Sequence, residues 1–224
     1  MTFSLVARCA ETGMLGMAVS SSSPAVAARC SHARAGIGVV GSQNVTDPGL
    51  GPRALDLIEG GLSADEALRQ VTAEASHIEY RQLLAIDARG QTSIYSGAHV
   101  LGIWGEARGR DVAAAGNLLA RHDVPSTIVT AFETTEGHLG DRLMGALHAG
   151  LVAGGEAGPV HSAGLMVVDR LNWPVADLRC DWSESCPIEA LRTAWEIYKP
   201  QMGDYVRRAL DPRLAPSYGV PGDI

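Results

Sequence analysis

What most constrains this chain is the alternation of two patterns along it. Apolar stretches with strand character come in twos around turn residues, and segments with helical spacing come in twos between them. Residues 3–9 and 14–20 flank Ala10-Glu11-Thr12-Gly13, a short hairpin turn. Residues 82–88 and 91–96 repeat the arrangement through Arg89-Gly90, residues 111–117 add a strand, and residues 162–169 and 175–180 make the last pair. A further apolar run at 36–45 leads into the loop Thr46-Asp47-Pro48-Gly49-Leu50-Gly51-Pro52. The alanine-rich stretch 25–34 reads as helical or irregular.

The helical segments carry their own punctuation. Leu55, Ile58 and Leu62 mark one helix, ended by Gly60-Gly61; Ser63 with Glu66 forms a capping box for the next, whose apolar face is Ala67, Leu68, Val71 and Ala75. Residues 125–136 and 139–152 form the second pair, the latter with leucines at 139, 143, 147 and 151. A last helix opens at Pro187 with the stripe Ile188, Leu191, Trp195 and Tyr198. Hairpins imply antiparallel pairing, and helices arriving in pairs leave no crossover for a parallel sheet. The expectation is an α+β fold, a four-layer αββα sandwich of two stacked antiparallel sheets, in one domain over 1–199. Residues 200–224, with Pro200, Pro212, Pro216 and Pro221, read as a tail at an oligomer interface, most simply of a homodimer, with a turn or two of helix at 202–210.

Charge and composition exclude several classes. A net charge of −7 without a basic stripe argues against nucleic acid as a partner. No stretch approaches a membrane span and the amino terminus is not built like a signal peptide, so no membrane and a cytoplasmic location are expected. The four cysteines lack C-x-x-C spacing and the histidines do not cluster, so neither a metal nor an organic cofactor is expected. There is a single lysine, Lys199.

The first strand begins at Thr2, behind a residue that methionine aminopeptidase removes when its neighbour is this small. A terminal threonine carries a hydroxyl and an amine with an ordinary pKa of about 7.7–8.0, so nucleophile and general base reside on one residue. As a structural residue, Thr2 is only a small side chain at a strand start.

The sequence also has a familiar look. Met1-Thr2-Phe3-Ser4-Leu5-Val6-Ala7-Arg8, Thr12-Gly13, Leu15-Gly16-Met17-Ala18-Val19, Ala33-Arg34-Ala35-Gly36-Ile37-Gly38, Gly51-Pro52-Arg53, Gly61-Leu62-Ser63-Ala64, Tyr80-Arg81-Gln82-Leu83 and Gly116-Asn117-Leu118-Leu119 resemble, in order, domain-of-unknown-function family 1028. Proteins of that family look like N-terminal nucleophile (Ntn) hydrolases, whose architecture is the αββα sandwich. The resemblance therefore implies that fold and hydrolysis of a small amide or peptide-like substrate. Some members carry a peptidoglycan-binding domain, which implies a cell-wall amide. Where the family tends to have an acid, an arginine and a glutamine, this chain has Glu156, no arginine, and His161 before Ser162-Ala163. Asp177-Leu178-Arg179 follows the family pattern.

Each candidate has a functional and a structural reading. Ser4, two residues from Thr2, shares its strand face and would orient the amine, or is a core hydroxyl. Gln43 and Asn117 end apolar strands, where an amide serves either an oxyanion and an amine or a turn. Arg81 would bind substrate or supply the cation that Lys199 is too far along the chain to give, or sits in a surface salt bridge, and Arg53 would clamp a substrate carboxylate, or is a solvated side chain at a helix start. Asp177 and Arg179 contact substrate or pair with each other. His161 with Ser162 is a weaker competing pair. A non-catalytic ligand-binding or scaffold protein on the same fold is the other reading of the whole.

Overall fold

The computed structural model describes residues 1–221. The opening run folds as strand β1 (Thr2–Arg8) and turns back, with Gly13 at φ 79° supplying the left-handed residue, into β2 (Leu15–Ser21). The alanine-rich stretch divides into a short helix, α1 (Val26–Cys30), and an edge strand, β3 (Ser31–Arg34), before β4 (Gly38–Asn44). Helices α2 (Leu50–Glu59) and α3 (Ala64–Glu74) follow, α3 with both halves of the Ser63–Glu66 capping box formed.

Next come β5 (Arg81–Asp87), β6 (Thr92–Ser96), β7 (Gly105–Gly109) and β8 (Val112–Asn117). Then α4 (Val124–Thr134), α5 (Leu139–Val152), β9 (Ser162–Val168), β10 (Ala176–Cys180), α6 (Pro187–Tyr198) and α7 (Met202–Leu210) complete the order.

The strands form two antiparallel sheets, of order β10-β9-β2-β1-β8-β7 and β3-β4-β5-β6. Alternation along β1 divides the core. Phe3, Leu5 and Ala7 pack outward with Ile128, Phe132, Leu143, Leu147, Leu191 and Trp195 of α4, α5 and α6. Val6 faces inward, with Met17 and Val19, against Val39, Leu84 and Ile86 of the second sheet. The far side of that sheet, Val40, Leu83 and Ala85, is covered by Leu55, Leu68 and Val71 of α2 and α3. Three apolar layers therefore separate helices, sheet, sheet and helices, and the αββα sandwich is the architecture. A fully buried side chain of this size contributes about 1.5–3 kcal/mol, so the shared inner layer fixes the sheets against each other.

The carboxyl-terminal segment differs from the expected tail. Met202 and Val206 of α7 pack on the main core, and Tyr205 stacks on Tyr198 at 5.6 Å. A segment without partners, the reason for placing an interface there, is thus replaced by a docked helix. Residues 222–224 of the segment lie outside the described residues.

Candidate active site

Antiparallel pairing of β1 with β8 places Thr2 directly opposite Asn117, both on the face between the sheets. From there a chain of buried polar side chains crosses the inner layer. The Ser4 hydroxyl donates to Gln43 Oε1 at 2.6 Å, and Gln43 Nε2 donates to Gln82 Oε1 at 2.9 Å. Asn117 Nδ2 donates to the same Gln82 oxygen at 3.1 Å. Gln82 Nε2 in turn reaches Ser96 Oγ at 3.0 Å and the Gly116 carbonyl at 3.3 Å. Asn117 is fully buried, and its Oδ1 has no partner among the described residues. Leaving such an acceptor unpaired costs about 1–3 kcal/mol, which marks it as a place where a donor belongs.

The strand start is equally organised. Thr2 is 4% exposed, and its hydroxyl donates to the Met1 carbonyl oxygen, which also accepts from the Ser21 hydroxyl. Ser21 Oγ lies 2.8 Å from Ser23 Oγ, and Arg29 donates to Ser23 Oγ at 2.5 Å. A cation thus reaches the first peptide bond through two hydroxyls. Opposite stands Glu156, 4% exposed, both carboxylate oxygens accepting from the Ser22 N–H at 3.1 and 3.2 Å. Burial pushes its pKa up to about 7, against the opposing pull of the chain's terminal ammonium and the Ser22 hydrogen bonds.

The structure brings Thr2, Ser4, Gln43 and Asn117 together and leaves the remaining candidates elsewhere. Arg81 alternates with Gln82, so it lies on the face of Leu83 and Ala85, toward the outer helices; it donates to the Val45 carbonyl. Arg53 pairs with Glu74 between α2 and α3. Asp177 and Arg179 pair with each other at 2.9 Å on edge strand β10. Lys199 binds Asp141 at 2.5 Å, at the start of α5, whereas the α5 end nearest Thr2 is at Gly150, beside Phe3.

Ser162 and His161 do not form a dyad. The Ser162 hydroxyl, fully buried, donates to the Ser23 carbonyl at 2.6 Å, while His161 Nδ1 meets the Ser183 carbonyl at 2.8 Å and its ring stacks on Trp182. The residues that sequence reasoning passed over are Gln82, Ser21 and Arg29. For Gln82 a signal existed, because an uncharged amide beside Leu83-Leu84 in a buried strand must find a partner.

The profile of a family of unknown function, DUF1028, matches residues 2–191. The chain belongs to this family. A DUF1028 protein from Silicibacter pomeroyi, known as a crystal structure, is 28% identical to it with a TM-score of 0.86, over 92% of this chain and 90% of that one. Two other solved structures show a weaker likeness. Anbu (ancestral beta-subunit) from Yersinia bercovieri is 10% identical with a TM-score of 0.40, over 90% of this chain and 96% of that one. A mutant Anbu from Hyphomicrobium sp. strain MC1 is 13% identical with a TM-score of 0.43, over 92% of this chain and 100% of that one. No curated protein matches the sequence. Among the described residues of this DUF1028 protein, no helix is long and apolar enough to cross a membrane.

Proposed function

We propose that this DUF1028 protein is an N-terminal nucleophile amidohydrolase in which Thr2, once Met1 is removed, attacks a small amide or peptide-like bond. One observation carries the reading: a buried threonine hydroxyl at a strand start is hydrogen-bonded to a carbonyl oxygen that the Ser21 hydroxyl also holds. Acyl transfer needs a nucleophile beside a carbonyl group and a donor at the oxygen where charge develops, and the contact supports a hydroxyl and a donor so placed.

In the proposed reaction the Thr2 oxygen adds to the acyl carbon while its proton passes to the Thr2 amine. Ser21 Oγ donates to the oxyanion, backed by Ser23 and the Arg29 charge. The carbon–nitrogen bond then breaks, the proton goes to the leaving amine, and a Thr2 ester remains. Water, deprotonated by the same amine, hydrolyses the ester and restores the hydroxyl. Asn117 Oδ1, the acceptor without a partner beside Thr2, is the group we assign to hold the amine, and Ser4 supports the amide chain behind it. The mechanism calls on no metal or organic cofactor. A cell-wall fragment is the substrate class suggested by the family's peptidoglycan-binding members.

The test begins with intact mass spectrometry to establish loss of Met1. Processed wild type and Thr2→Ala are then compared on small amides, lactams and peptidoglycan fragments. Turnover by wild type that Thr2→Ala loses supports the reading; equal rates refute it. Stoichiometric binding without turnover in processed protein would favour a ligand-binding role instead.

A further inference from the structure

Exposure falls abruptly at the strand start. Met1 is 37% exposed, whereas Thr2 is 4% exposed and Phe3, Ser4 and Leu5 are fully buried. These residues open β1, an inner strand that pairs with β2 on one side and β8 on the other, so that Phe3 stands opposite both Ser20 and Gly116. Phe3 also packs against Gly150 and Gly155, and Ser4 begins the buried amide chain through Gln43. The Met1–Thr2 peptide bond is itself held. Its carbonyl oxygen accepts from the Thr2 and Ser21 hydroxyls, and the Met1 terminal methyl lies beside Gly158, 3.9 Å from where an added Cβ would stand.

An aminopeptidase must take the terminal residue and those after it into its own cleft as extended chain. Here that means drawing Thr2, Phe3 and Ser4 out of the middle of a sheet, which exposes a buried phenyl ring and breaks the Ser4–Gln43 hydrogen bond. A core strand opens only at a free energy close to that of global unfolding. A protease that waits for such opening works at a rate set by the open population, on the order of 10⁻³–10⁻⁶ of the molecules.

We infer that the folded chain protects its own Met1, so that each molecule either exposes Thr2 before β1 is enclosed or keeps Met1 for as long as it stays folded. Met1 is then an autoinhibitory contact, a consequence that rests on the reading of Thr2 as the nucleophile. It acylates the amine that serves as the base, and its carbonyl oxygen occupies the Ser21 hydroxyl assigned to the oxyanion. The active fraction is set during synthesis, by trimming in competition with folding, and aminopeptidase added later does not raise it.

The test uses wild-type chain translated in a reconstituted system that contains deformylase but no methionine aminopeptidase, with retention of Met1 established by intact mass. The folded chain and a synthetic octapeptide of residues 1–8 are then incubated with the same methionine aminopeptidase, and loss of methionine is followed by mass. The peptide is expected to be trimmed readily, and the folded chain at least about a hundredfold more slowly. A smaller difference would overturn the inference, as would loss of Met1 from the folded chain with no aminopeptidase present. An octapeptide that is not trimmed would overturn it too, since no free Thr2 could then arise before folding. Whether Thr2 is the nucleophile is read separately, from turnover by chains that lost Met1 during synthesis against Thr2→Ala; failure there leaves the protection of Met1 standing and removes only its inhibitory meaning.

Discussion

Thr2 and Asn117 stand opposite each other across the β1–β8 ladder, and the Asn117 side chain, fully buried, keeps one oxygen without a partner among the described residues. Alternation along β1 and β8 turns both side chains into the layer between the sheets, where water is excluded and each polar atom must be accounted for. In that layer the amide chain from Ser4 to Asn117 ends at the candidate site and ties the sheets to each other along the rest of its length.

Two members of the amide chain, Gln82 in its middle and Asn117 at its end, should respond differently to truncation. Gln82→Ala strands Gln43 Nε2 and Asn117 Nδ2, each losing the Gln82 oxygen, and is expected to cost about 2–4 kcal/mol. Asn117→Ala removes one hydrogen bond and also an acceptor that already lacks a partner, so its cost should be about 1 kcal/mol. Denaturant unfolding of both variants checks the order; a larger loss for Asn117→Ala would contradict the network as described.

Glu156 should give stability a pH dependence of known sign. Its folded pKa of about 7 lies above the ordinary 4.5, so between those values the folded chain binds more protons than the unfolded one. The contribution is complete below the lower value and is lost as pH rises through the upper, over a span on the order of 3 kcal/mol. Melting temperatures from pH 4 to pH 8 should fall in wild type relative to Glu156→Gln as pH rises. A constant difference would show that Glu156 titrates normally.

Arg53 and Arg179 should matter little. Each sits in a partly exposed ion pair, with Glu74 and Asp177 respectively, and such pairs contribute about 0–1 kcal/mol. Arg53→Ala and Arg179→Ala are expected to unfold within about 1 kcal/mol of wild type and to keep its turnover. A tenfold loss of kcat/KM in either would return that arginine to the site.

Much of this fold was legible because its signals are local. The β1–β2 hairpin, the α3 capping box and the leucine spacing of α5 each announce themselves within a few residues. Strand β7 does not: Gly105-Glu106-Ala107-Arg108-Gly109 is a half-exposed edge strand without a β-branched or aromatic residue, formed because β8 offers it a ladder. The alanine-rich stretch 25–34 reads as helical or irregular, yet only its first part is helix α1, and residues 31–34 pair with β4 as β3.

In the candidate site, Thr2, Ser4, Gln43 and Asn117 could be named because polar residues in or ending apolar strands stand out. Ser21 and Arg29 could not, since four serines in a row look alike until β2 pairing and the turn after it select one, and the arginine reaches Ser23 only by folding back from α1. Arg81 attracted the sequence reading through its charge, whereas strand alternation gives the inner face to Gln82.

A homodimer remains a proposal, now resting on Ile197, Leu210 and Leu214, which are 62%, 62% and 71% exposed around α7. Light scattering at micromolar concentration is expected to give twice the chain mass, falling to the chain mass in Leu210→Glu/Leu214→Glu. A monomeric wild type would end the proposal.

The central claim, that Thr2 acts as the nucleophile, is tested most directly by covalent capture. A small strained β-lactone is incubated with protein shown by intact mass to have lost Met1, and the product is weighed and mapped by peptide. The account predicts one lactone mass added per chain, on the hydroxyl of Thr2, and no addition to Thr2→Ala or to protein retaining Met1. Labelling of Thr2→Ala at the wild-type rate, or an adduct mapped to Ser162 or a cysteine, would contradict it.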